Sequence, residues 1–238
     1  MLRLDLIRKE EKKYHDFCYE NYKLFEEGSW LYKPVKAVMD LLSFFPNKEN
    51  MQVLDLGSGV GRNIIPIAQE LKDKNGKVIC VDLLDSALEK LKLYSKEYKV
   101  EGIIETRKAD IGHYVIDKNK FDLIVAVSTL EHVESDEVFE YVLKQMAVGT
   151  KKDGINCLIV NSEIEEIELE TNKKLEAMME INKKTEDMIH TLSRIYRGWE
   201  VLFQVVKPLE YIIGRDEKEV LLKTNAITFI VKKLDIHK

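Results

Sequence analysis

The chain has 238 residues, of which 45% are hydrophobic and 33% are charged, and its formal net charge is −5 at pH 7. This length suits one α/β domain with additions, and the hydrophobic share is large enough for a buried core. The negative charge argues against a nucleic-acid partner, because proteins that bind phosphate backbones usually present a basic face.

The N-terminus and the cysteines indicate the compartment. Residues 1–13 are too charged for a signal peptide, and no apolar run approaches the roughly 18 residues of a membrane-spanning helix. The three cysteines, Cys18, Cys80 and Cys157, are odd in number and far apart, which favours reduced thiols and argues against a zinc site. Cys80 and Cys157 lie in apolar, strand-like runs and are expected to be buried in the core. We therefore expect a cytoplasmic protein that uses no membrane.

The histidines show no spacing typical of metal ligands, so no metal is predicted. They stand at His15, His113, His132, His190 and His237.

Two helical segments precede the first predicted strand. Residues 5–27 place Tyr14, Phe17 and Cys18 on one side of a helix, and residues 34–45 form a second helix. We expect residues 1–46 to be an N-terminal helical cap segment. Its aromatic side chains are candidates for cleft walls or for ordinary packing. These are Tyr14, Tyr22, Trp30 and Tyr32.

Residues 51–63 carry the most informative pattern. An apolar run ends in an acid, three glycines follow at alternate positions, and a helical periodicity comes next. These residues are Asp55, Gly57, Gly59 and Gly61. Glycine lets another molecule approach the backbone, and the amides at a helix start favour polar or anionic groups. A turn without a ligand would explain one glycine rather than three. The spacing also departs from the dinucleotide fingerprint, since Arg62 stands where that pattern requires glycine.

This stretch resembles motif I of the class I S-adenosylmethionine-dependent methyltransferases, among their small-molecule groups of types 11 and 12 or the tellurite-resistance type. In that family the glycine loop passes beside the methionine portion of the cofactor, and the acid interacts with its polar end. The resemblance therefore implies a set of residues that line the site of S-adenosyl-L-methionine. These are Asp55, Gly57, Ser58, Gly59, Gly61 and Asn63. Asn63 is also predicted to cap the following helix.

Residues 77–82 are nearly all apolar, as expected of a strand covered on both faces, and they end in Asp82. An acid at this strand end can accept both ribose hydroxyls in a doubly wound sheet. Nicotinamide-binding proteins and methyltransferases share this device, so it predicts a nucleotide without choosing one. A helix cap is the alternative role for Asp82, and Leu83 would contact the adenine face.

Two further strand ends match the family. Its members place an acid against the adenine amino group after the third strand and a backbone N–H against a ring nitrogen, and Asp110 and Ile111 match these positions. Residues 121–133 form a string, F-D-L-I-V-x-x-x-x-L-E-H-V, that is common among small-molecule members. Ser128 is then expected beside the cofactor through its backbone. His132 is either a general base or a residue that only shapes the cleft.

The remaining chain completes the sheet. The resemblance implies an α/β, Rossmann-like doubly wound sheet of seven strands in the order 3-2-1-4-5-7-6, with strand 7 antiparallel and helices on both faces. The charged segment 162–196 between strands 5 and 6 is predicted as a helical insertion or lid over the acceptor cleft. Residues 1–238 are thus expected to form a single methyltransferase domain.

The implied reaction is methyl transfer from S-adenosyl-L-methionine to a small-molecule nucleophile by in-line displacement, with S-adenosyl-L-homocysteine as the product. Positioning supplies much of the rate for such an activated donor, so no catalytic residue is assigned firmly. The sequence names neither the acceptor nor the oligomeric state. Alternatives are a non-catalytic cofactor-binding or regulatory protein, an NAD-dependent oxidoreductase, and a methyltransferase acting on protein or nucleic acid.

Overall fold

The computed structural model describes residues 3–215 and 218–235. The helices are α1 (Arg3–Asn21), α2 (Lys36–Asp40), α3 (Ile64–Leu71), α4 (Asp85–Glu97), α5 (Asp136–Gly149) and α6 (Thr185–Ile195). The strands are β1 (Gln52–Leu56), β2 (Lys77–Asp82), β3 (Ile104–Lys108), β4 (Phe121–Val127), β5 (Thr150–Glu168), β6 (Lys173–Leu175), β7 (Glu200–Arg215) and β8 (Lys218–Lys232). Short 3-10 helices cover Trp30–Tyr32, Leu41–Phe44 and Leu130–His132.

These strands form one sheet in the order β3-β2-β1-β4-β5-β8-β7, with β6 paired to β5. The first five strands are parallel, and β8 runs antiparallel to both of its neighbours. The predicted order is therefore confirmed, with β7 and β8 as the predicted strands 6 and 7. Asp55 is level with Cys80 of β2 and Val125 of β4, so the carboxyl ends of these strands meet at one edge of the sheet.

Apolar layers cover both faces of the sheet, as predicted. One layer joins α3 and α4 to the N-terminal segment, and the other joins α5 and α6. Cys80 and Cys157 are fully buried strand residues, which confirms their predicted packing role. No helix in the described ranges combines the length and hydropathy that crossing a bilayer requires.

The segment 162–196 differs from the predicted helical insertion. Strand β5 continues to its end at Glu168, β6 follows, and only Thr185–Ile195 is helical. Along residues 162–168 every second side chain is buried, which is the period of a strand. Two of these buried side chains are glutamates, and they pair with cations of the terminal hairpin: Glu166 with Arg215 and Glu168 with Lys218. The charged composition therefore concealed a strand.

The ends of β5, β7 and β8 project beyond the parallel part of the sheet. The last residue of β4, Val127, pairs with Ile159, whereas β5 continues to pair with β8 as far as Glu168. We call this projection the arm, defined as residues 161–168, 207–215 and 218–226. The arm extends from the sheet edge at which parallel strands present their carboxyl ends.

The N-terminal segment is less regular than predicted. Helix α1 ends at Asn21, and the predicted helix over 34–45 divides into α2 and a 3-10 turn. Phe17 and Cys18, predicted on one side of the first helix, differ in burial: Phe17 is exposed, whereas Cys18 and the adjacent Tyr19 are buried.

Candidate active site

The loop between β1 and α3 lies against β2. The backbone amides of Gly57 and Ser58 donate to the carbonyl of Val81 over 2.8 and 3.1 Å. Gly57 has φ +71°, and a Cβ there would stand 2.1 Å from the Oγ1 of Thr129, which follows β4. Packing against the protein's own chain therefore already requires glycine at this position.

The other two glycines of the loop face different neighbours. A Cβ at Gly61 would stand 2.5 Å from the Cδ1 of Leu91 in α4, so Gly61 permits close helix packing. A Cβ at Gly59 would stand 3.2 Å from the Oη of Tyr19, so α1 lies directly over this part of the loop. Gly59 is thus the glycine whose backbone faces the cleft beneath α1.

Ser58 has an unsatisfied side chain. Its Oγ is buried and has no hydrogen-bond partner within the described part of the chain. Buried polar atoms are usually paired, so an orphan in this loop fits a polar ligand group that completes the site. The loop residues therefore fit the cofactor that the sequence implies.

Asp82 links the loop to the turn after β2. One carboxylate oxygen accepts from the Gly59 amide over 2.8 Å, and the other accepts from the Leu84 amide over 2.9 Å. Burial raises the pKa of Asp82, and these two hydrogen bonds oppose that rise. Each oxygen keeps a lone pair, so the carboxylate can accept further donors.

Asp55 is buried at the end of β1. Burial and the neighbouring charge of Asp82 raise the pKa of Asp55 well above its ordinary value, while Arg62 opposes the rise. Arg62 itself donates to the Trp30 carbonyl over 2.8 Å and stacks on the Trp30 ring. The guanidinium therefore connects the N-terminal segment to the acid behind the glycine loop.

Asp110 lies at the end of β3 and is already engaged by α1. Its Oδ2 accepts a hydrogen bond from Arg8 Nη2 over 2.7 Å, and its Oδ1 accepts one from the Gly112 amide over 2.8 Å. Ile111 is buried beside it, whereas Leu83, after β2, is exposed. The predicted adenine acid is thus paired with an arginine that sequence reasoning did not consider.

Asn63 does not cap α3 through its side chain, contrary to the prediction. Its backbone is helical, and its Oδ1 accepts from the Val35 amide over 2.9 Å. The preceding chain runs close enough to offer this donor, and the amide of Val35 at the start of α2 needs an acceptor. Asn63 therefore anchors the N-terminal segment onto the glycine loop.

Ser128 follows β4 in a left-handed conformation with φ +48°. Such strain in a residue other than glycine clusters at functional sites. Its amide donates to the Ile159 carbonyl over 2.8 Å, and its Oγ accepts from Asn161 at 3.3 Å. The turn therefore positions Ser128 between the ends of β4 and β5.

Helix α1 contributes four side chains that the sequence interpretation missed. They are Arg8, Glu11, His15 and Tyr19. Their spacing of three, four and four residues places them on one helix face. That polar stripe was the available signal, and it was obscured by the many other charges of the segment. Burial lowers the pKa of His15, whose Nδ1 is buried without a partner in the described ranges.

His132 lies in a group of charged side chains beneath α1. Its Nδ1 is 3.1 Å from Glu180 Oε2, and its Nε2 is 4.0 Å from Glu11 Oε2. Burial lowers the pKa of His132, but the hydrogen bond to Glu180 and the charges of Glu11 and Glu131 raise it to about 9. At neutral pH His132 is therefore protonated, and an imidazolium does not accept a proton.

The same group extends into the arm. Arg215 Nη2 is 3.1 Å from Glu166 Oε1 and 3.5 Å from Glu11 Oε1. Glu131 is fully buried; its Oε1 accepts from the Asn161 amide at 3.1 Å, and burial raises its pKa. We call this group the acidic cluster: Glu11, Glu131, Glu166 and Glu180, with His132 and Arg215.

The predicted aromatic candidates separate into two groups. Trp30 packs against His15 and Tyr19 with ring centroids 5.9 and 6.3 Å apart, and Tyr14 packs edge-on against His15 at 5.4 Å. Tyr22 instead meets Phe17, and Tyr32 meets Lys33. Tyr14 and Trp30 therefore border the cleft, together with Tyr19, which was not predicted.

No group of metal-ligating side chains occurs among the residues that the structure describes. His237, one of the five histidines considered, lies outside the described residues.

Residues 53–154, which span the glycine loop and all three acids, match the protein family described as a methyltransferase domain. This segment is a class I S-adenosylmethionine-dependent methyltransferase domain. Its cofactor is S-adenosyl-L-methionine, which agrees with the orphaned Ser58 hydroxyl in the glycine loop.

Curated relatives resemble this segment over part of their length. A phosphoethanolamine N-methyltransferase of Triticum aestivum is 29% identical over 115 residues, which cover 46% of this chain and 21% of the wheat protein. The matched segment thus spans about a fifth of that relative's length.

Solved structures share the fold of the methyltransferase domain. TehB from Haemophilus influenzae superposes with a TM-score of 0.63 at 17% identity, covering 92% of this chain and 66% of TehB. Phosphoethanolamine N-methyltransferase 2 of Haemonchus contortus superposes with a TM-score of 0.60 at 13% identity, covering 92% of this chain and 57% of that protein. The Haemonchus structure contains phosphomonomethylethanolamine and S-adenosylhomocysteine.

Proposed function

We propose that this chain transfers the methyl group of S-adenosyl-L-methionine to a small-molecule nucleophile by in-line displacement. The observation that carries the proposal is the junction at Asp82, whose carboxylate joins the Gly59 amide of the glycine loop to the turn after β2. This junction lies at the carboxyl ends of parallel strands, where open α/β sheets bind their ligands.

Three acids at successive strand ends support the cofactor assignment. Asp55 interacts with the polar end of the cofactor, and Asp82 accepts hydrogen bonds from the ribose hydroxyls. Asp110 accepts from the adenine amino group, and the Ile111 amide donates to a ring nitrogen. Gly57, Gly59 and Gly61 shape the loop, Ser58 donates to a polar group, and Ser128 borders the site through its backbone. Leu83, exposed after β2, provides a face for the adenine ring.

The cofactor supplies an electrophilic methyl group on a positively charged sulfur. The protein has to hold the acceptor atom in line with that group and exclude water, which can contribute several kcal/mol of rate acceleration. Helix α1 roofs the cleft through His15 and Tyr19, and the arm closes its side through Arg215. His132, held as a cation by Glu180, orients the acceptor rather than removing its proton.

A small-molecule acceptor is supported by the relatives. The wheat and Haemonchus proteins are named for phosphoethanolamine, a small amine. The net charge of −5 also favours a small acceptor over a nucleic acid, and we propose that the protein acts in the cytoplasm.

Calorimetric titration with S-adenosyl-L-homocysteine, with NAD as control, tests the proposal. We expect micromolar binding of S-adenosyl-L-homocysteine and no binding of NAD. Tight binding without methyl transfer to any acceptor in a panel of amines, thiols, phenols and oxyanions would indicate a regulatory protein instead. Absence of binding would contradict the proposed function.

A further inference from the structure

The acidic cluster holds more carboxylates than its own cations neutralise. Four glutamates face Arg215 and His132 within the described residues, and burial lowers the pKa of the neighbouring His15. Arg215 meets both oxygens of Glu166, at 3.1 and 3.4 Å, and His132 meets Glu180 at 3.1 Å. Glu11 shares Arg215 with Glu166, at the longer distance of 3.5 Å, and Glu131 Oε2 has no hydrogen-bond partner within the described residues.

The carboxylates of Glu11 and Glu131 both lie beside His132, Glu11 partly buried and Glu131 fully buried. Glu11 reaches His132, His15 and Arg215 only at 4.0, 3.6 and 3.5 Å. Glu131 has no exposed surface, and its Oε2 has no hydrogen-bond partner within the described residues. Burying a carboxylate oxygen without a donor is costly, so this atom indicates a missing donor group.

The missing group is organic rather than metallic. No set of side chains in the described ranges has the arrangement that a metal ion requires. Aromatic rings line the adjacent wall, because His15, one turn after Glu11, packs against Tyr14, Tyr19 and Trp30. Carboxylates combined with aromatic rings are the surroundings that favour an organic ammonium group.

We infer that the methyl acceptor is a cationic amine whose nitrogen binds between Glu11 and Glu131, beside His132. The inference rests on the proposed function and names its substrate class. The ammonium donates to Glu131 Oε2 and to Glu11, which completes the acidic cluster. The rings of Tyr19 and Trp30 contact the carbon atoms around the nitrogen.

Glu131 also provides a destination for the proton. The ammonium first gives one N–H proton to Glu131 Oε2, which leaves a lone pair on nitrogen. That lone pair forms the bond to the methyl carbon, and the electron pair of the breaking carbon–sulfur bond stays with sulfur. Sulfur becomes a neutral thioether, and the proton passes to solvent. Burial raises the pKa of the Glu131 carboxyl group. The difference between this pKa and that of an ammonium group is therefore smaller, which favours the proton transfer.

Binding of a matched pair of probes tests the charge preference. The full chain is saturated with S-adenosyl-L-homocysteine, which has no methyl group to give, and titrated with protonated N,N-dimethylethanolamine, which carries one N–H donor, and with its uncharged isostere 3-methylbutan-1-ol. We expect the amine to bind at least ten-fold more tightly. Equal affinities, tighter binding of the alcohol, or no binding of the amine would overturn the inference.

Two substitutions assign the preference to the acidic cluster. Glu131→Gln and Glu180→Gln should each reduce the preference for N,N-dimethylethanolamine over 3-methylbutan-1-ol at least ten-fold, and the second variant serves if the first fails to fold. Glu176→Gln is the matched control, because Glu176 lies in the same loop as Glu180 but its side chain is 78% exposed against 2% for Glu180. An equal loss in the control would contradict the assignment.

Turnover separates this inference from the proposed function. Product formation is measured with primary and secondary amines, thiols, phenols and carboxylates. If S-adenosyl-L-homocysteine binds and only thiols or phenols react, the amine inference fails and the methyltransferase proposal stands. If S-adenosyl-L-homocysteine does not bind, the proposed function itself fails.

Discussion

Arg8 and Asp110, 102 positions apart in the sequence, form an ion pair of 2.7 Å between α1 and the end of β3. The pair occupies the carboxylate that we assign to the adenine amino group. Both side chains are partly buried, and the Nε of Arg8 is buried without a partner in the described chain. Under the proposed assignment of Asp110, helix α1 and the adenine compete for one acid.

Removing Arg8 should release Asp110 for the cofactor. Partly exposed ion pairs contribute about 0.2–1 kcal/mol, so Arg8→Ala is expected to lower the Kd for S-adenosyl-L-homocysteine about two- to five-fold. Calorimetry measures the change. Arg3→Ala is the control, because Arg3 lies on the same helix as Arg8 but pairs with the exposed Glu176. Weaker binding by Arg8→Ala would instead make Arg8 a clamp on the bound cofactor.

Asp82 should dominate ribose recognition. Asp82→Ala is expected to weaken binding of S-adenosyl-L-homocysteine by about 1.5–3 kcal/mol, the range for a lost hydrogen bond to a charged group. Asp85→Ala controls for the loss of an acid in the same turn, since Asp85 is exposed and pairs with Lys108. Unchanged affinity in a folded Asp82→Ala variant would refute the ribose assignment.

Stability should depend on the charge of His132. Its folded pKa of about 9 exceeds the ordinary 6.5, so the stabilisation is complete below pH 6.5 and disappears as the pH rises through about 9. His132→Gln should lower the free energy of unfolding by roughly 1–3 kcal/mol at pH 6, and by less at pH 10. Urea denaturation at both pH values measures this difference. His190→Gln, at an exposed position, is the matched histidine control.

Trp30 should report cofactor binding. Its ring contacts His15, Tyr19 and Arg62 at the roof of the glycine loop. We expect S-adenosyl-L-homocysteine to change tryptophan fluorescence in the Trp199→Phe variant, which keeps Trp30, and to leave it unchanged in Trp30→Phe. A fluorescence change in Trp30→Phe and none in Trp199→Phe would mean that α1 and Trp30 do not cover the site.

Gly57 should be irreplaceable for packing reasons alone. Gly57→Ala forces a side chain into φ +71° and places Cβ 2.1 Å from Thr129 Oγ1. Strain of this kind costs about 1–3 kcal/mol before any clash is added, so we expect at least that loss of unfolding free energy. Gly102→Ala should be nearly neutral, because no atom lies within 4 Å of its Cβ position. Similar stabilities for the two variants would contradict this account.

The individual parallel strands and the glycine loop followed from local patterns, whereas the strand order followed from the resemblance to the methyltransferase family. The apolar runs that end in Asp55 and Asp82 predict buried parallel strands, and the glycines between them predict the loop, because each pattern depends on neighbours a few residues away. Cys80 and Cys157 were likewise predictable, since a strand covered on both faces buries all of its side chains.

The sequence by itself therefore determined the Rossmann-like sheet, the glycine loop and the acids at its strand ends. Tertiary structure alone decided that Arg8 meets Asp110, that Glu180 and Glu11 surround His132, and that residues 162–168 form a strand rather than a helix. Local charge patterns do not reveal these partners, because each contact joins segments that are distant in the chain. A buried glutamate such as Glu166 is stable in a strand only because Arg215 arrives from another strand, 49 residues away.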